Sequence, residues 1–169
     1  PYIPFTALSL LVIIAMTVTG CGADKNLKKG EKYLAIGEYY DAATQFKQAY
    51  SRTSPKEREH RGQIALKIAY CNERINASQK AMAAYSNAIR YKQASTMDRL
   101  AYARQLLRNG SYKQAETLFK EVVDSLSAGA DLQTEKKTLG RSSAALPAAL
   151  SHDAAMTLAR NGLVSAQNA

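Results

Sequence analysis

The chain of 169 residues contains no tryptophan, only three phenylalanines and only two histidines. The histidines, His60 and His152, stand in unrelated contexts, and no His-Glu-x-x-His motif, phosphate-binding loop or nucleophile elbow occurs. Catalytic and metal sites need such groups at fixed spacings. The sequence therefore predicts a protein that is not an enzyme, takes no small-molecule substrate and uses no cofactor or metal.

Cysteine is also scarce, with two in the chain. Cys71 lies inside a predicted helix, and no histidine or second cysteine is near it in sequence. This context favours a buried structural thiol. The other cysteine, Cys21, stands at the end of an uncharged stretch and has a different interpretation.

Acidic residues are outnumbered, 14 against 23 basic ones, which gives a formal net charge of +9. Residues 24–127 hold 19 Lys/Arg and 11 Asp/Glu, and the two signs are interspersed along the helices. This pattern predicts a solvated helical surface with a basic bias. The alternative is a basic module that binds an anionic envelope polymer, with an affinity that falls steeply with salt; nucleic acid is not expected as a partner.

The amino-terminal stretch, residues 3–18, is uncharged and apolar apart from Thr6, Ser9 and Thr17. It ends in Val18-Thr19-Gly20-Cys21, which resembles a bacterial lipobox. The resemblance implies a signal peptide over residues 1–20, cleavage after Gly20 and lipid attachment to the Cys21 thiol. Since signal peptides open with basic residues and this chain opens at Pro1, we expect the natural start to lie upstream. The alternatives are an uncleaved membrane-spanning helix, because about 20 apolar residues cross a bilayer, and a buried segment.

A short phrase recurs three times between residues 37 and 123. Each copy has a turn residue, then an alanine five positions on, an aromatic four later and a small apolar residue three later. The members are Ala42, Phe46 and Ala49; Ala81, Tyr85 and Ala88; and Ala115, Phe119 and Val122. Steps of four and three keep each set on one stripe of an α-helix. The copies start 39 and 34 residues apart, so five extra residues lie between the first two.

A period of about 34 residues made of two helices, with these small and aromatic positions, resembles the tetratricopeptide repeat (TPR) family. A small residue with a second position three later precedes each stripe: Gly30 with Tyr33, Ala69 with Asn72, and Ala103 with Leu106. The resemblance implies an all-α fold, an α-solenoid of three helix-turn-helix repeats. The predicted divisions are a TPR domain over residues 21–128, with repeats at about 23–56, 62–95 and 96–128, and a tail over 129–169.

The helix ends follow from caps and glycines. We expect helices at 26–36 and 41–52, a third from a cap at Ser54 with Pro55 and Glu57 to about Arg74, and a fourth from a cap at 76–79 to Tyr91. Ser95 with Asp98 opens a fifth, and Ser111 with Gln114 opens a sixth that ends near Ser127. Gly37 and Gly110 end helices in the left-handed conformation. In the tail, residues 152–166 predict a weak helix that Gly162 interrupts, and either this segment or 132–139 is the candidate cap helix.

The family resemblance places the first helix of every repeat on a concave face that binds a partner. The implied groove residues are Leu27, Glu31, Leu34, Leu66, Tyr70, Glu73, Arg74, Leu100, Arg104, Leu107 and Arg108. Arg104 and Arg108 lie one helical turn apart and can hold a carboxylate or an acidic helix; the alternative is two solvated side chains.

The first repeat, from Leu27 to Tyr50 behind the lipobox, also resembles the start of Bacteroidota OmpA-like outer-membrane lipoproteins of the type IX secretion and gliding kind. The resemblance implies a periplasmic scaffold, on the outer membrane or alternatively the inner one, that binds a peptide or helix of another envelope protein. An alternative is a TPR lipoprotein of β-barrel or pilus assembly. The chain has no room for the later domains of such proteins, so cell-wall binding is not expected.

Overall fold

The computed structural model describes residues 22–129 and 151–169, and every regular element within these ranges is an α-helix. The prediction of an all-α fold is confirmed there. None of the described helices is both long and apolar enough to cross a bilayer. The helices are α1 (22–35), α2 (Tyr39–Arg52), α3 (Arg58–Arg74), α4 (Ser78–Arg90), α5 (Thr96–Arg108), α6 (Tyr112–Ser127) and α7 (His152–Gln167).

The first six helices form three hairpins, α1–α2, α3–α4 and α5–α6, and α2 and α4 each also pack on the helix that follows. Three residues connect the helices within each hairpin, and five connect one hairpin to the next. The stripe predicted from the recurring phrase forms the core, because all nine of its residues are at most 2% exposed. The buried hydrophobic residues run from Ala23 to Ala166, so the core draws on the whole described range.

The five extra residues of the first period lie mainly in α3. Among the first helices of the hairpins, α3 has 17 residues and α5 has 13. Among the second helices, α2 has 14 residues and α4 has 13. The four additional residues of α3 and the one of α2 account for the difference. The prediction that the insertion lengthens the third helix is therefore confirmed.

The predicted start of α3 is wrong. The helix begins at Arg58, and residues 54–57 form a separate turn before it. The Ser54 hydroxyl accepts the backbone N–H of Lys56 at 3.3 Å, while the Ser54 N–H donates to the Glu57 carboxylate at 3.2 Å. Because Glu57 has a non-helical backbone (φ −78°, ψ 69°), these bonds close a turn instead of opening the helix.

The three hairpin turns share one backbone feature, a residue in the left-handed conformation. Gly37 and Gly110 have φ of 81° and 78°, as predicted, and Asn76 takes the same left-handed conformation with φ of 56°. In each turn this residue's N–H bonds back to the carbonyl three residues earlier. The prediction that Asn76 caps the start of α4 is thus wrong, because it terminates α3 and the N-cap, Ala77, has no side-chain bond.

Of the other two predicted caps, one forms. The Ser95 hydroxyl accepts the Asp98 N–H and the Asp98 carboxylate accepts the Ser95 N–H at 2.9 Å, which completes a capping box at α5. Ser111 occupies the N-cap of α6, but its side chain makes no capping bond there. The Ser111 hydroxyl instead accepts from the side chain of Asn109 at 3.4 Å.

The last helix, α7, packs on α6 and α5. Its inner side consists of small residues, Ala155, Ala159 and Ala166, which are at most 6% exposed. The prediction that Gly162 interrupts this helix is wrong, because α7 continues to Gln167. A Cβ at Gly162 would overlap the Phe119 ring, so the missing side chain allows α7 to approach α6 closely. The other candidate cap helix, 132–139, lies outside the described residues.

Candidate functional site

The first helices of the three hairpins lie side by side. The Lys67 ammonium of α3 contacts the Glu31 carboxylate of α1 at 2.7 Å. Ala101 and Tyr102 of α5 pack against a cluster that contains Ala69 of α3 with Ala81 and Tyr85 of α4. We call the exposed surface of α1, α3 and α5 the groove face.

Ten of the eleven predicted groove residues are at least partly exposed. Glu31, Arg74, Arg104 and Arg108 are exposed, and the other six are half-buried: Leu27, Leu34, Leu66, Tyr70, Glu73 and Leu107. Leu100 is the exception and its assignment to the groove is wrong. It is 2% exposed because it lies on the inner stripe of α5 with Ala103 and Leu106, three and six residues later.

The carboxylates of the groove face already have partners. Glu31 pairs with Lys67, as described above. Glu73 accepts a hydrogen bond from the Tyr85 hydroxyl of α4 at 2.8 Å. Burial, and then the negative charge of Glu73, raise the pKa of Tyr85 well above its ordinary value, so the phenol stays a donor. Glu31 thus links two hairpins, Glu73 links the two helices of one hairpin, and both contribute little free negative charge to the surface.

The arginines of the groove face have no such partners. Within the described residues, no carboxylate lies within 4.0 Å of Arg74, Arg104 or Arg108. The Arg74 guanidinium lies 5.3 Å from the centre of the Tyr39 ring, a cation–π distance that leaves its N–H groups available. Tyr39 in turn meets Tyr70 edge-on, with ring centres 6.1 Å apart. The face therefore offers three uncompensated cations beside aromatic and aliphatic surface.

Sequence reasoning missed Lys67 and Tyr102 as parts of this surface, and Tyr39 of α2 as a neighbour of it. Lys67 lies three residues before Tyr70, so helical spacing alone places it on the same side of α3. Tyr39 belongs to the start of a second helix, and its contact with Tyr70 joins different hairpins. No sequence pattern predicts the contact between Tyr39 and Tyr70.

A second cluster of side chains surrounds Tyr91, in the connection from α4 to α5. The Tyr91 hydroxyl accepts hydrogen bonds from Tyr50 at 3.4 Å and from the Arg61 Nε at 3.2 Å. The guanidinium groups of Arg58 and Arg90 lie 5.9 and 5.3 Å from the centre of its ring. The bond from Tyr50, followed by that from Arg61, lowers the pKa of Tyr91 to about 8. We call these five residues the Tyr91 cluster.

Arg61 has a structural part in this cluster. Its Nη1 donates to the carbonyl oxygens of Tyr50, at 3.1 Å, and Thr53, at 2.7 Å, and its guanidinium lies 4.0 Å from the centre of the Tyr50 ring. It thus satisfies carbonyl groups at the end of α2 that the helix itself leaves open. Arg58 and Arg90 are exposed, and within the described residues neither has a carboxylate within 4.0 Å.

The remaining candidate groups show no catalytic arrangement. Cys71 is fully buried, as predicted, and burial raises the pKa of its thiol to about 12, which leaves it protonated and inert. Among the residues that the structure describes, no three His, Cys, Asp or Glu side chains converge as metal ligands. The predicted lipidation residue, Cys21, lies outside the described residues.

Comparison of the chain with protein-family models, with known proteins and with solved structures finds no match.

Proposed function

We propose that this chain is a lipid-anchored tetratricopeptide-repeat scaffold of a bacterial cell envelope, most simply on the outer membrane facing the periplasm. In this proposal the three hairpins form an α-solenoid and α7 closes its last repeat. Support for the repeat comes from the 34-residue period, the three buried stripes and the three-residue turn shared by all hairpins. Support for the anchor comes from the Val18-Thr19-Gly20-Cys21 sequence.

The scaffold holds an acidic helix or extended segment of another envelope protein on the groove face. One observation carries this proposal: Arg74, Arg104 and Arg108 are exposed and uncompensated, whereas Glu31 and Glu73 are bonded within the fold. A carboxylate of the partner can therefore bind one of these arginines without displacing a carboxylate of the chain itself. The half-buried leucines of the face supply the apolar contact that such a segment needs.

The assembly that contains the scaffold is a narrower proposal. The resemblance of residues 27–50 to Bacteroidota lipoproteins favours a secretion or gliding complex of the type IX kind. β-barrel assembly and pilus assembly are the rival settings. Co-purification from the membrane separates the three, because each predicts different companions: secretion-ring proteins, barrel-assembly subunits or pilus subunits.

Peptide binding tests the groove directly. The probes are two fluorescein-labelled amphipathic helical peptides with the same leucine positions, one with glutamate and one with lysine at the polar positions. We expect the acidic peptide to bind, and R104Q/R108Q to weaken it roughly tenfold or more, since each hydrogen bond to a charged group contributes about 1.5–3 kcal/mol. The matched control, K80Q/K113Q, removes the same charge from exposed positions on α4 and α6 and should change affinity less than twofold.

Two results would contradict groove recognition: equal binding of both peptides, or equal losses in the two double variants. An affinity that falls as steeply with salt as polyanion binding would favour the basic-module alternative instead. The anchor has an independent test in the intact mass of membrane-extracted protein. We expect loss of residues 1–20 and an acylated Cys21, and an unmodified thiol at that position would refute lipid anchoring.

A further inference from the structure

We propose that the end of the fold where α1 begins faces the membrane, and that Arg58 and Arg90 of the Tyr91 cluster bind phosphate groups of anionic lipid headgroups there. This inference rests on the lipid anchor proposed above and adds a second contact to it. It assigns different ligands to this end of the fold and to the groove face.

The position of Gly22 carries the first step. In the three hairpins, α1, α3 and α5 begin at the same end at which α2 and α4 finish, and we call this the attachment end. The Gly22 carbonyl oxygen lies 3.5 Å from Nη1 of Arg52, the last residue of α2. Gly22 directly follows Cys21, so lipid on that thiol would bring the attachment end to the bilayer.

The charge at this end is the second step. The connections from α2 to α3 and from α4 to α5 lie here, and residues 50–61 and 90–93 contain six Lys/Arg and two Glu. Glu57 accepts the Ser54 N–H and Glu59 accepts a bond from Gln63, so both acids have partners within the chain. Among the residues that the structure describes, the other exposed acids of this end are Asp24, Asp124 and Asp153, which belong to α1, α6 and α7. The basic charge is therefore concentrated over the two connections between hairpins.

The chemistry of the side chains is the third step. A planar guanidinium matches the oxygen atoms of a phosphate, and a tyrosine ring with a polar tip suits the zone between headgroups and water. Arg61 donates hydrogen bonds to the Tyr50 and Thr53 carbonyls and to the Tyr91 hydroxyl, and so fixes the position of Tyr91. Arg58, at the start of α3, and Arg90, at the end of α4, remain exposed. Surface potential acts only within about a Debye length, roughly 8 Å, so these charges act once this end of the fold lies at the membrane surface.

The test uses residues 21–169 with Cys21→Ser, a chain that keeps all buried hydrophobic residues from Ala23 onward and lacks any lipid. Cosedimentation is measured with vesicles of phosphatidylcholine alone and with about 30% phosphatidylglycerol added. Two triple variants remove equal charge from exposed positions: K56Q/R58Q/R90Q at the attachment end and R74Q/R104Q/R108Q on the groove face. Circular dichroism and melting establish that each variant is folded.

We expect binding only to the anionic vesicles, and a loss of roughly fivefold for each charge removed at the attachment end, because one basic residue near such a surface contributes about 1 kcal/mol. The groove variant should lose less than twofold. Inorganic phosphate at matched ionic strength should displace little protein, since a vesicle presents many phosphates together.

Three results would overturn the inference. Equal losses in the two triple variants would mean that total charge alone drives binding. Equal binding to neutral phosphatidylcholine vesicles, in which choline offsets the phosphate charge, would mean that the anionic phosphate does not drive the interaction. Full displacement by inorganic phosphate would make the cluster a site for the free anion. Failure of the anchor is a separate outcome, because it is read from the mass of Cys21 in membrane-extracted protein and leaves the vesicle result unchanged.

Discussion

Gly162 provides a test of α7 docking in which the sign of the effect is decisive. In an isolated helix, glycine to alanine stabilises by about 0.8–1.0 kcal/mol, because alanine has the higher helix propensity. At Gly162, however, an alanine Cβ would lie 2.8 Å from Cε2 of Phe119 and still closer to two other atoms of the ring, whereas ordinary contact begins at 3.4 Å. The helix or the ring would have to move by roughly 0.6 Å or more, the difference between these distances, and overpacking of this kind costs about 1–3 kcal/mol.

We therefore expect Gly162→Ala to lower the free energy of unfolding by roughly 1 kcal/mol, which is a fall of a few degrees in Tm for a chain of this size. Urea denaturation followed by circular dichroism measures it. Asn161→Ala, at the exposed neighbouring position, is the control and should be neutral or stabilising. Phe119→Leu removes part of the ring, so the penalty of Gly162→Ala should shrink in that background. A Gly162→Ala variant that is more stable than wild type, with no coupling to Phe119, would refute the packing of α7 on α6.

Three further predictions follow from single contacts. Ser95→Ala should lower the free energy of unfolding by about 0.5–2 kcal/mol, whereas Ser111→Ala should change it little, because only Ser95 caps its helix; equal effects in denaturant melts would contradict this. The buried Cys71 thiol, with its pKa raised to about 12, should not react with a thiol reagent until the protein unfolds, and fast labelling of the native protein at this residue would count against its burial. Since the Tyr91 pKa is about 8 in the folded protein and near 10 when unfolded, its contribution to stability is absent below pH 8, grows between pH 8 and 10 and is complete above that range. Wild type should gain stability over Tyr91→Phe in that window, and a constant difference across it would show that the hydroxyl does not titrate there.

The core was predictable from the sequence because it depends on spacing alone. Steps of four and three from Ala42, Ala81 and Ala115 define one side of a helix, and those sides are buried. The same reasoning, applied to Leu100, would have put it inside, since it lies three residues before Ala103. The family analogy overrode that spacing, and the analogy was wrong at this position.

Helix ends were less predictable, because the same residues can serve two structures. Ser54 and Glu57 have the spacing of a capping box, yet they close a turn ahead of α3. Asn76 can cap a helix start or adopt a left-handed helix end, and its backbone (φ 56°) shows the latter. Which of the two forms depends on tertiary packing around the connection, which the local sequence does not contain.

Contacts between hairpins were beyond sequence reasoning. The Tyr39–Tyr70 pair and the Tyr50–Tyr91 hydrogen bond join residues more than 30 positions apart, and nothing in their neighbourhoods identifies the partner. Likewise, the small residues of α7 predict only a weak helix, because the sequence does not show that Gly162 packs against the Phe119 ring. The sequence also does not show that Glu31 and Glu73 have partners within the fold, whereas no carboxylate of the described residues pairs with Arg74, Arg104 or Arg108.

The equal connections give the gene a simple way to change size. Three residues close every hairpin and five join each hairpin to its successor, so excision of residues 53–90 would bring Arg52 to Tyr91 with a joint of unchanged length. A duplication of the same stretch would extend the molecule by one unit and leave both ends intact. Recombination within such a gene can thus alter the reach of the protein in whole steps, without designing a new joint.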